Sequence, residues 1–306
     1  MSWKPDICVY HGGCDDGFGA AWVVRKKWGD TVQFVPGAYG GFEWPANITG
    51  KNILFVDFSL KREPMRNLIN GFNDAGPPAS VVVLDHHKTA EVELAWWTMP
   101  ELTLTHADIT PLLAEMPGPA CIAVFDMERS GARLAWDFCF PGEQVPKLIE
   151  HIEDRDLWRF RYDTTHYVSA ALRTYPHDFD VWDGLVTNVG RLAIEGSTIL
   201  RGHRKNIEQF ISNRYWRDVG GHRVPVVNVP YHYASDCADA ILKAEPAAPF
   251  AASYFDRADG KRQWSLRSAD DRIDVSDVAK AKGGGGHRNA AGFEEVVRFE
   301  VIKVSA

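Results

Sequence analysis

The sequence of 306 residues has few cysteines and no long apolar segment. Its five cysteines are an odd number, are widely separated and form no Cys-x-x-Cys pair, which argues against a disulfide framework and a structural zinc site. The longest strongly apolar runs, 53–56 and 81–84, are far shorter than the ~20 residues that a membrane span needs. No basic segment followed by an apolar one marks a signal peptide near the start. We therefore expect a cytoplasmic protein with no membrane partner.

A strongly basic character is also absent. The formal net charge is −7, which disfavours a protein that coats nucleic acid by bulk attraction. The 45% of hydrophobic residues excludes a mainly disordered chain. Because the length exceeds the usual size of a single hydrophobic core, we expect two domains.

The first half of the sequence alternates short β-rich runs with helical patterns, which predicts an α/β fold with a parallel sheet. A helical pattern over 119–140 and another over 145–154 follow, and 183–215 is mostly helical. After Gly220 the pattern predicts a smaller α/β domain with a helix over 237–244. We expect an N-terminal domain over 1–185, a helical connector over 186–215 and a second domain over 216–306. The predicted strands are 7–10, 32–35, 52–56, 80–84, 223–229, 250–255, 263–267 and 296–304.

Acidic and histidine residues follow the first, third and fourth predicted strands. The carboxyl ends of parallel strands meet at one edge of the sheet, so these side chains are expected to share one rim. Each feature alone is commonly a helix cap or a turn, but three at strand ends of one sheet gather negative charge that a cation would neutralise. Carboxylate and imidazole groups together suit Mn²⁺, Mg²⁺ or Fe²⁺. The residues are His11, Asp15, Asp16, Asp57, Asp85, His86 and His87.

Two motifs resemble the DHH phosphoesterase superfamily. Asp85-His86-His87, after a buried strand, resembles the signature triad of that superfamily, and the segment 283–293 resembles the glycine-rich motif of the DHH-associated (DHHA1) domain. The two motifs occur in the expected order, and the resemblance covers essentially the whole chain. It implies a parallel-sheet DHH domain followed by a smaller α/β domain, as in the compact two-domain members.

The resemblance also implies a site for two divalent cations, Mn²⁺ first and Mg²⁺ as the alternative. Matching the motifs assigns Asp57 as the bridging ligand and His86 as a ligand histidine. Asp85 would support His86, and His87 would face the phosphate ester that is cleaved. The remaining implied ligands are His11, one acid of Asp15 and Asp16, and Asp156 with Asp154 as the alternative.

The first motif departs from the pattern of many members, which have His followed by Asp at +4 and +6. Here the acids stand at +4 and +5, and Gly17 stands at +6. Asp16 is favoured as the ligand and Asp15 stays open. Cys14 stands where some relatives have an acid.

The four glycines before His287 allow several N–H groups to converge on an anion, and the residues that follow add charged contacts. A strand-end arginine also resembles a substrate-contacting position of the DHH-associated domain. The candidate substrate-binding residues are Gly284, Gly285, Gly286, His287, Arg288 and Arg267.

The favoured function is hydrolysis of linear dinucleotides or very short RNA or DNA oligonucleotides, with water activated by two metal ions. Two alternatives stay open. One is a phosphatase for pyrophosphate, polyphosphate or nucleotide 3′-phosphates, and the other is a catalytically weak RNA-binding protein. The sequence leaves a homodimer open.

Overall fold

The structure is a computed structural model that describes residues 3–38, 43–45, 47–71, 76–99, 104–116 and 120–297. The chain divides into two compact units, Met1–Ile199 and Leu200–Ala306. The predicted connector over 186–215 lies across this division, and the expected domain boundaries stay predictions. None of the described helices is both long and apolar enough to cross a membrane.

The first unit is an α/β structure built on one parallel sheet, with the strand order β2-β1-β3-β4-β5. Its last helix continues into the second unit. The elements in chain order are β1 (Ile7–His11), α1 (Asp15–Trp28), β2 (Gln33–Gly37), β3 (Asn52–Val56), α2 (Arg62–Asn70), β4 (Ser80–Asp85), α3 (Lys88–Glu93), α4 (Ile109–Ala114), β5 (Ala120–Phe125), α5 (Gly131–Cys139), α6 (Lys147–Asp156), α7 (Thr165–Leu172), α8 (Phe179–Thr187) and α9 (Val189–Ile211).

The central strands are buried on both faces. Along β4, Val82 belongs to the hydrophobic cluster on one face of the sheet, whereas Val81 and Val83 belong to the cluster on the other face. Strand side chains point alternately to the two faces, so a strand covered on both sides is apolar at every position. This explains why the run 80–84 predicts a strand without showing alternation.

The predicted helix over 119–140 is wrong in its first part. Residues 120–125 form β5, which is buried along its whole length and pairs in parallel with β4. The helix α5 begins only after Ser130, whose Oγ accepts a hydrogen bond from the backbone N–H of Arg133. A short apolar run does not distinguish a buried strand from a buried helix segment, because it has no visible period.

The second unit contains a sheet with the strand order β10-β11-β9-β8-β7-β6. The pair β7–β8 is parallel and the other pairs are antiparallel. The elements are β6 (Tyr215–Val219), β7 (His222–Asn228), α10 (Ala234–Ala244), β8 (Ala251–Asp256), β9 (Lys261–Arg267), α11 (Val275–Lys280), β10 (Gly285–His287) and β11 (Ala290–Val296).

The sequence did not predict β10 and β11, and its last predicted strand lies mostly outside the described residues. The predicted strand over 296–304 begins where β11 ends, and residues 298–304 lie outside the described residues. The glycine run leads from α11 into the β10–β11 hairpin. A Cβ atom at Gly286 would lie 2.5 Å from the carbonyl oxygen of Ala290, and Gly286 has φ of 140°. The glycine there therefore allows the hairpin strands to approach closely.

We predict opposite effects on stability for two Gly→Ala substitutions in α9. A Cβ at Gly196 would collide with the backbone of Tyr167 in α7, whereas a Cβ at Gly202 would meet nothing within 4 Å. Gly196→Ala should lower the free energy of unfolding by about 1–3 kcal/mol, as overpacking does. Gly202→Ala should raise it by about 0.5–1 kcal/mol, because alanine is the better helix former. Urea unfolding measures both. Equal stability of the two variants would contradict the close approach of α9 and α7.

Candidate metal centre

The carboxyl ends of three adjacent strands bring the predicted site residues together. His11 is the last residue of β1, Asp57 directly follows β3, and Asp85 is the last residue of β4. Asp57 is 1% exposed and has φ of 53°, a left-handed conformation that aspartate tolerates better than most residues. Its N–H donates a hydrogen bond to the carbonyl oxygen of Leu84. The turn after β3 therefore holds a carboxylate at the centre of the rim.

The two carboxylate oxygens of Asp57 contact different groups. Oδ2 lies 3.3 Å from Cys14 Sγ and 3.7 Å from His11 Nδ1. Oδ1 lies 3.0 Å from His86 Nε2. Burial raises the pKa of Asp57, but hydrogen bonds with His11 and His86 outweigh it and lower the pKa below its usual value. Asp57 is therefore held as a carboxylate.

His86 lies among three carboxylates. Its Nε2 is 3.0 Å from Asp57 Oδ1 and 3.6 Å from one oxygen each of Asp16 and Asp156. Burial lowers the pKa of His86, but the hydrogen bond to Asp57 and the nearby carboxylates raise it to about 9. The imidazolium thus supplies the positive charge that a cation would supply at the same place.

Asp16 is buried at the start of α1, where it contacts the N-terminus of α5. Its two oxygens accept hydrogen bonds from the N–H groups of Gly131, at 2.6 Å, and Ala132, at 3.0 Å. Burial, together with the charges of Asp57 and Asp156, raises the pKa of Asp16 well above its usual value. A Cβ at Gly131 would lie 2.8 Å from Asp57 Cγ, so the close approach of α5 to the rim requires glycine there.

Asp15 lies outside this cluster. Its Oδ1 is 3.1 Å from His177 Nε2, at a partly exposed position. Asp15 and Asp16 are consecutive residues of α1, so their side chains point about 100° apart around the helix axis. Only Asp16 therefore reaches the rim.

Asp154 also lies outside the cluster, although Asp156 belongs to it. The Asp154 carboxylate is buried and accepts hydrogen bonds from the N–H groups of Arg161, at 2.7 Å, and Tyr162, at 3.2 Å. It also accepts a hydrogen bond from Thr165 Oγ1. Asp154 therefore fixes the segment between α6 and α7.

Asp85 supports both histidines of the triad. Its Oδ1 accepts hydrogen bonds from the backbone N–H groups of His86 and His87, and it lies 2.7 Å from His87 Nδ1. The bond to Asp85 raises the pKa of His87, whose side chain is 36% exposed. Asp85 therefore holds the His87 ring by its Nδ1 edge.

Three groups of potential ligand atoms result, and within each group the atoms lie within 4.8 Å of one another. The first and second groups share Asp57, and the second and third share His86. Buried carboxylates this close together need compensating positive charge, and their oxygen and imidazole donors suit divalent cations. The groups are His11, Cys14 and Asp57; Asp57, His86 and His87; and Asp16, His86 and Asp156.

The sequence did not predict Cys14 as a functional residue, and it predicted His87 as a catalytic residue rather than as a metal ligand. Cys14 is the N-cap residue of α1, and its Sγ lies 3.0 Å from His11 Nδ1. Burial and then the charge of Asp57 raise the pKa of the Cys14 thiol. The available signal was its position, three residues after His11 and in place of an acid.

A cavity of about 540 Å³ opens beside the cluster within the first unit. Asp16 and Asp156 line it together with Arg155, Arg173 and Trp158. Trp158 is 69% exposed, and the Arg155 guanidinium lies 4.1 Å from its ring centroid. Arg173 is exposed and forms no ion pair with any residue in the described ranges.

In the second unit, the candidate substrate-binding residues differ in their engagement. Arg288 donates hydrogen bonds to the carbonyl oxygens of Asp270 and Arg272. Arg267 donates to the carbonyl oxygen of Leu266 and to Ser235 Oγ. The exposed His287 has no side-chain partner within the part of the chain that the structure describes. Arg267 and Arg288 thus form hydrogen bonds within the second unit, whereas the His287 side chain forms none with any described residue.

We predict that metal binding distinguishes the adjacent acids of α1. Asp16→Ala should weaken Mn²⁺ binding by at least about 10–100-fold, the loss that follows when even a residue supporting a ligand is removed. Asp15→Ala should change it little, because Asp15 pairs with His177 outside the cluster. Chelator competition and metal analysis of the purified variants measure both. The reverse order would mean that the +4 acid of the wider family is the ligand.

No family model matches the chain. A protein of Acanthamoeba polyphaga mimivirus, named "Uncharacterized protein R106", is 29% identical over 311 positions, which cover 95% of this chain and 67% of that protein. The pGpG-specific phosphodiesterase PggH of Vibrio cholerae has a structure 12% identical, with a TM-score of 0.49, covering 95% of this chain and 93% of that one.

A third comparison reaches a higher TM-score. The structure described as the DHH domain of a member of a ribosomal protein family is 13% identical, with a TM-score of 0.51 over 96% of this chain and 83% of that one. At this identity the likeness concerns the fold. The predicted fold class is confirmed, and the chain has the DHH-type fold that its Asp85-His86-His87 motif indicates.

Proposed function

We propose that the protein is a metal-dependent phosphoesterase that hydrolyses linear dinucleotides or very short oligonucleotides. The observation that carries this proposal is the division of the Asp57 carboxylate between two groups of donors, His11 with Cys14 on one side and His86 on the other. Asp16 and Asp156 complete the second side. A carboxylate in this position is suited to bind two ions at once.

The residues around the cluster fit the chemistry of phosphate ester hydrolysis. These donors would hold two divalent ions, which would supply a nucleophile at neutral pH and neutralise charge on the phosphate oxygens. His87 is assigned the proton transfer to the departing oxygen, a contribution of about 10²–10⁴-fold in rate. The contact with Asp85 raises the pKa of His87 and keeps the His87 ring in one orientation. Asp85 is therefore a positioning residue.

The cavity beside the cluster supports a nucleotide substrate. Its volume of about 540 Å³ is within the range of roughly 300–1,000 Å³ for small-molecule sites, which suits a nucleotide better than a polymer. Arg155 and Arg173 offer positive charge for a phosphate group, and the exposed Trp158 offers a ring for a base to stack on. Pyrophosphate has no base to stack, so this cavity favours the nucleotide over the small-anion alternative.

We also assign a role in substrate binding to the second unit. This assignment rests on the resemblance of the segment 283–293 to the glycine-rich motif and on the exposed His287. Because Arg288 and Arg267 hold backbone carbonyls and Ser235, His287 is the residue assigned to direct contact.

A panel of substrates tests the proposed function. With Mn²⁺, a linear dinucleotide should be hydrolysed faster than a long oligonucleotide, a cyclic dinucleotide or pyrophosphate, and excess chelator should abolish turnover. Asp57→Asn should retain less than about a tenth of the turnover, a loss above ~1.4 kcal/mol, because Asp57 serves both groups of donors. Asp163→Asn, an exposed acid, is the matched control. Full turnover in chelator would refute metal dependence, and fastest turnover of pyrophosphate would favour the small-anion phosphatase.

The contribution of Trp158 can be measured separately. Trp158→Ala should lower kcat/KM for a dinucleotide by about 5–150-fold, which corresponds to the ~1–3 kcal/mol of base stacking on an aromatic ring. For an analogue that lacks the stacked base, the same substitution should have little effect. Trp96→Ala is the control, since Trp96 is 81% exposed and does not line the cavity. Equal losses on both substrates would show that Trp158 supports the fold rather than the base.

A further inference from the structure

We infer that Cys14 is a metal ligand, so that one ion of the centre has a nitrogen, a sulfur and an oxygen donor and is a thiophilic divalent ion such as Zn²⁺, Fe²⁺ or Co²⁺. The other ion, bound by oxygen and imidazole donors, is then of a different kind. This inference rests on the metal centre of the proposed function but concerns the identity of the ions and not the substrate.

The geometry of the first group fits a single ion. His11 Nδ1, Cys14 Sγ and Asp57 Oδ2 form a triangle with edges of 3.0, 3.3 and 3.7 Å. With bonds of about 2.3 Å to sulfur and about 2.0–2.2 Å to nitrogen and oxygen, ligand atoms around one ion lie about 3–3.6 Å apart. The three donors therefore need shifts of only a few tenths of an ångström.

Helix capping does not explain the cysteine. Cys14 is the N-cap of α1, and its Sγ accepts a weak hydrogen bond, 3.3 Å long, from the N–H of Gly17. Serine, threonine, aspartate and asparagine cap helices better than cysteine, because they present an oxygen. The Cys14 sulfur is distinguished by its position, because it lies between the imidazole nitrogen of His11 and the buried carboxylate of Asp57. Both of those are also metal-binding groups.

The two sides of Asp57 differ in chemical softness. On the side of Oδ1, the donors are carboxylate oxygens of Asp16 and Asp156 and the imidazole of His86, which suit Mn²⁺ or Mg²⁺. On the side of Oδ2, a thiolate shifts the preference toward Zn²⁺, Fe²⁺ or Co²⁺. A centre built in this way holds a mixed pair of ions rather than two equivalent ones.

Cobalt spectroscopy tests the inference without reference to turnover. Protein stripped with chelator and loaded with Co²⁺ should show the near-ultraviolet absorption of charge transfer from thiolate to metal. Cys14→Ser, which keeps a capping hydroxyl, should bind Co²⁺ without this absorption. Cys237→Ser is the matched control, because Cys237 is buried in the second unit, and it should retain the absorption. The same spectrum for Cys14→Ser and the wild-type protein would overturn the inference.

A second variant guards against a folding defect in the first. Cys14→Asp replaces the sulfur with oxygen and should lower the ratio of Zn²⁺ affinity to Mn²⁺ affinity by more than about tenfold. An unchanged ratio would also overturn the inference. Turnover of a dinucleotide is measured on the same samples. If the cobalt absorption depends on Cys14 but no phosphate ester is hydrolysed, the proposed function fails while the ligand assignment stands.

Discussion

The buried carboxylate of Asp57 imposes the constraint on which the rim of the sheet depends. It lies where the ends of β1, β3 and β4 meet, and it is held in a left-handed backbone conformation. A negative charge with so little solvent contact requires neighbours that carry positive charge or donate hydrogen bonds. His11 and His86 meet this requirement from opposite sides, and the absence of a side chain at Gly131 leaves the space for it.

Two pairs of neighbouring acids differ in their position relative to the cluster. In each pair, one carboxylate belongs to the cluster and the other contacts the surrounding chain. Asp16 belongs to the cluster whereas Asp15 contacts His177, and Asp156 belongs to it whereas Asp154 accepts hydrogen bonds from the segment after α6. The strand-end rule predicts that Asp15 or Asp16 lies at this rim, and the family resemblance implies Asp156 or Asp154, but neither argument separates the two acids of a pair. Helical phase decides the first pair, and the backbone N–H groups of the segment after α6 decide the second.

The sequence predicted the parts of the fold that have a strong local pattern. The valine-rich β4 and the triad at its end are examples. A strand that is buried on both faces is a continuous apolar run in the sequence, and the polar residues at its end stand out from it. The strand β5 was mistaken for a helix because six apolar residues carry no period. Cys14 was missed as a donor because its position after His11, in place of an acid, does not by itself show that its sulfur lies beside His11 and Asp57. From the sequence alone, Gly286 predicts anion binding. The structure shows a packing role, because a side chain at Gly286 would collide with Ala290 in the β10–β11 hairpin.

The anchoring of the segment after α6 affects how a ligand would associate with the cavity beside it. Trp158 and Phe160 both have left-handed backbone conformations, which cost about 1–3 kcal/mol each and persist only where the surrounding structure holds them. Asp154 provides that restraint through its hydrogen bonds to Arg161, Tyr162 and Thr165. The backbone of this segment is thus held before any ligand arrives, and association would lose little conformational entropy there. A ligand of this cavity would then be captured without the closing of this segment, and diffusion and charge would have the larger effect on the rate of capture.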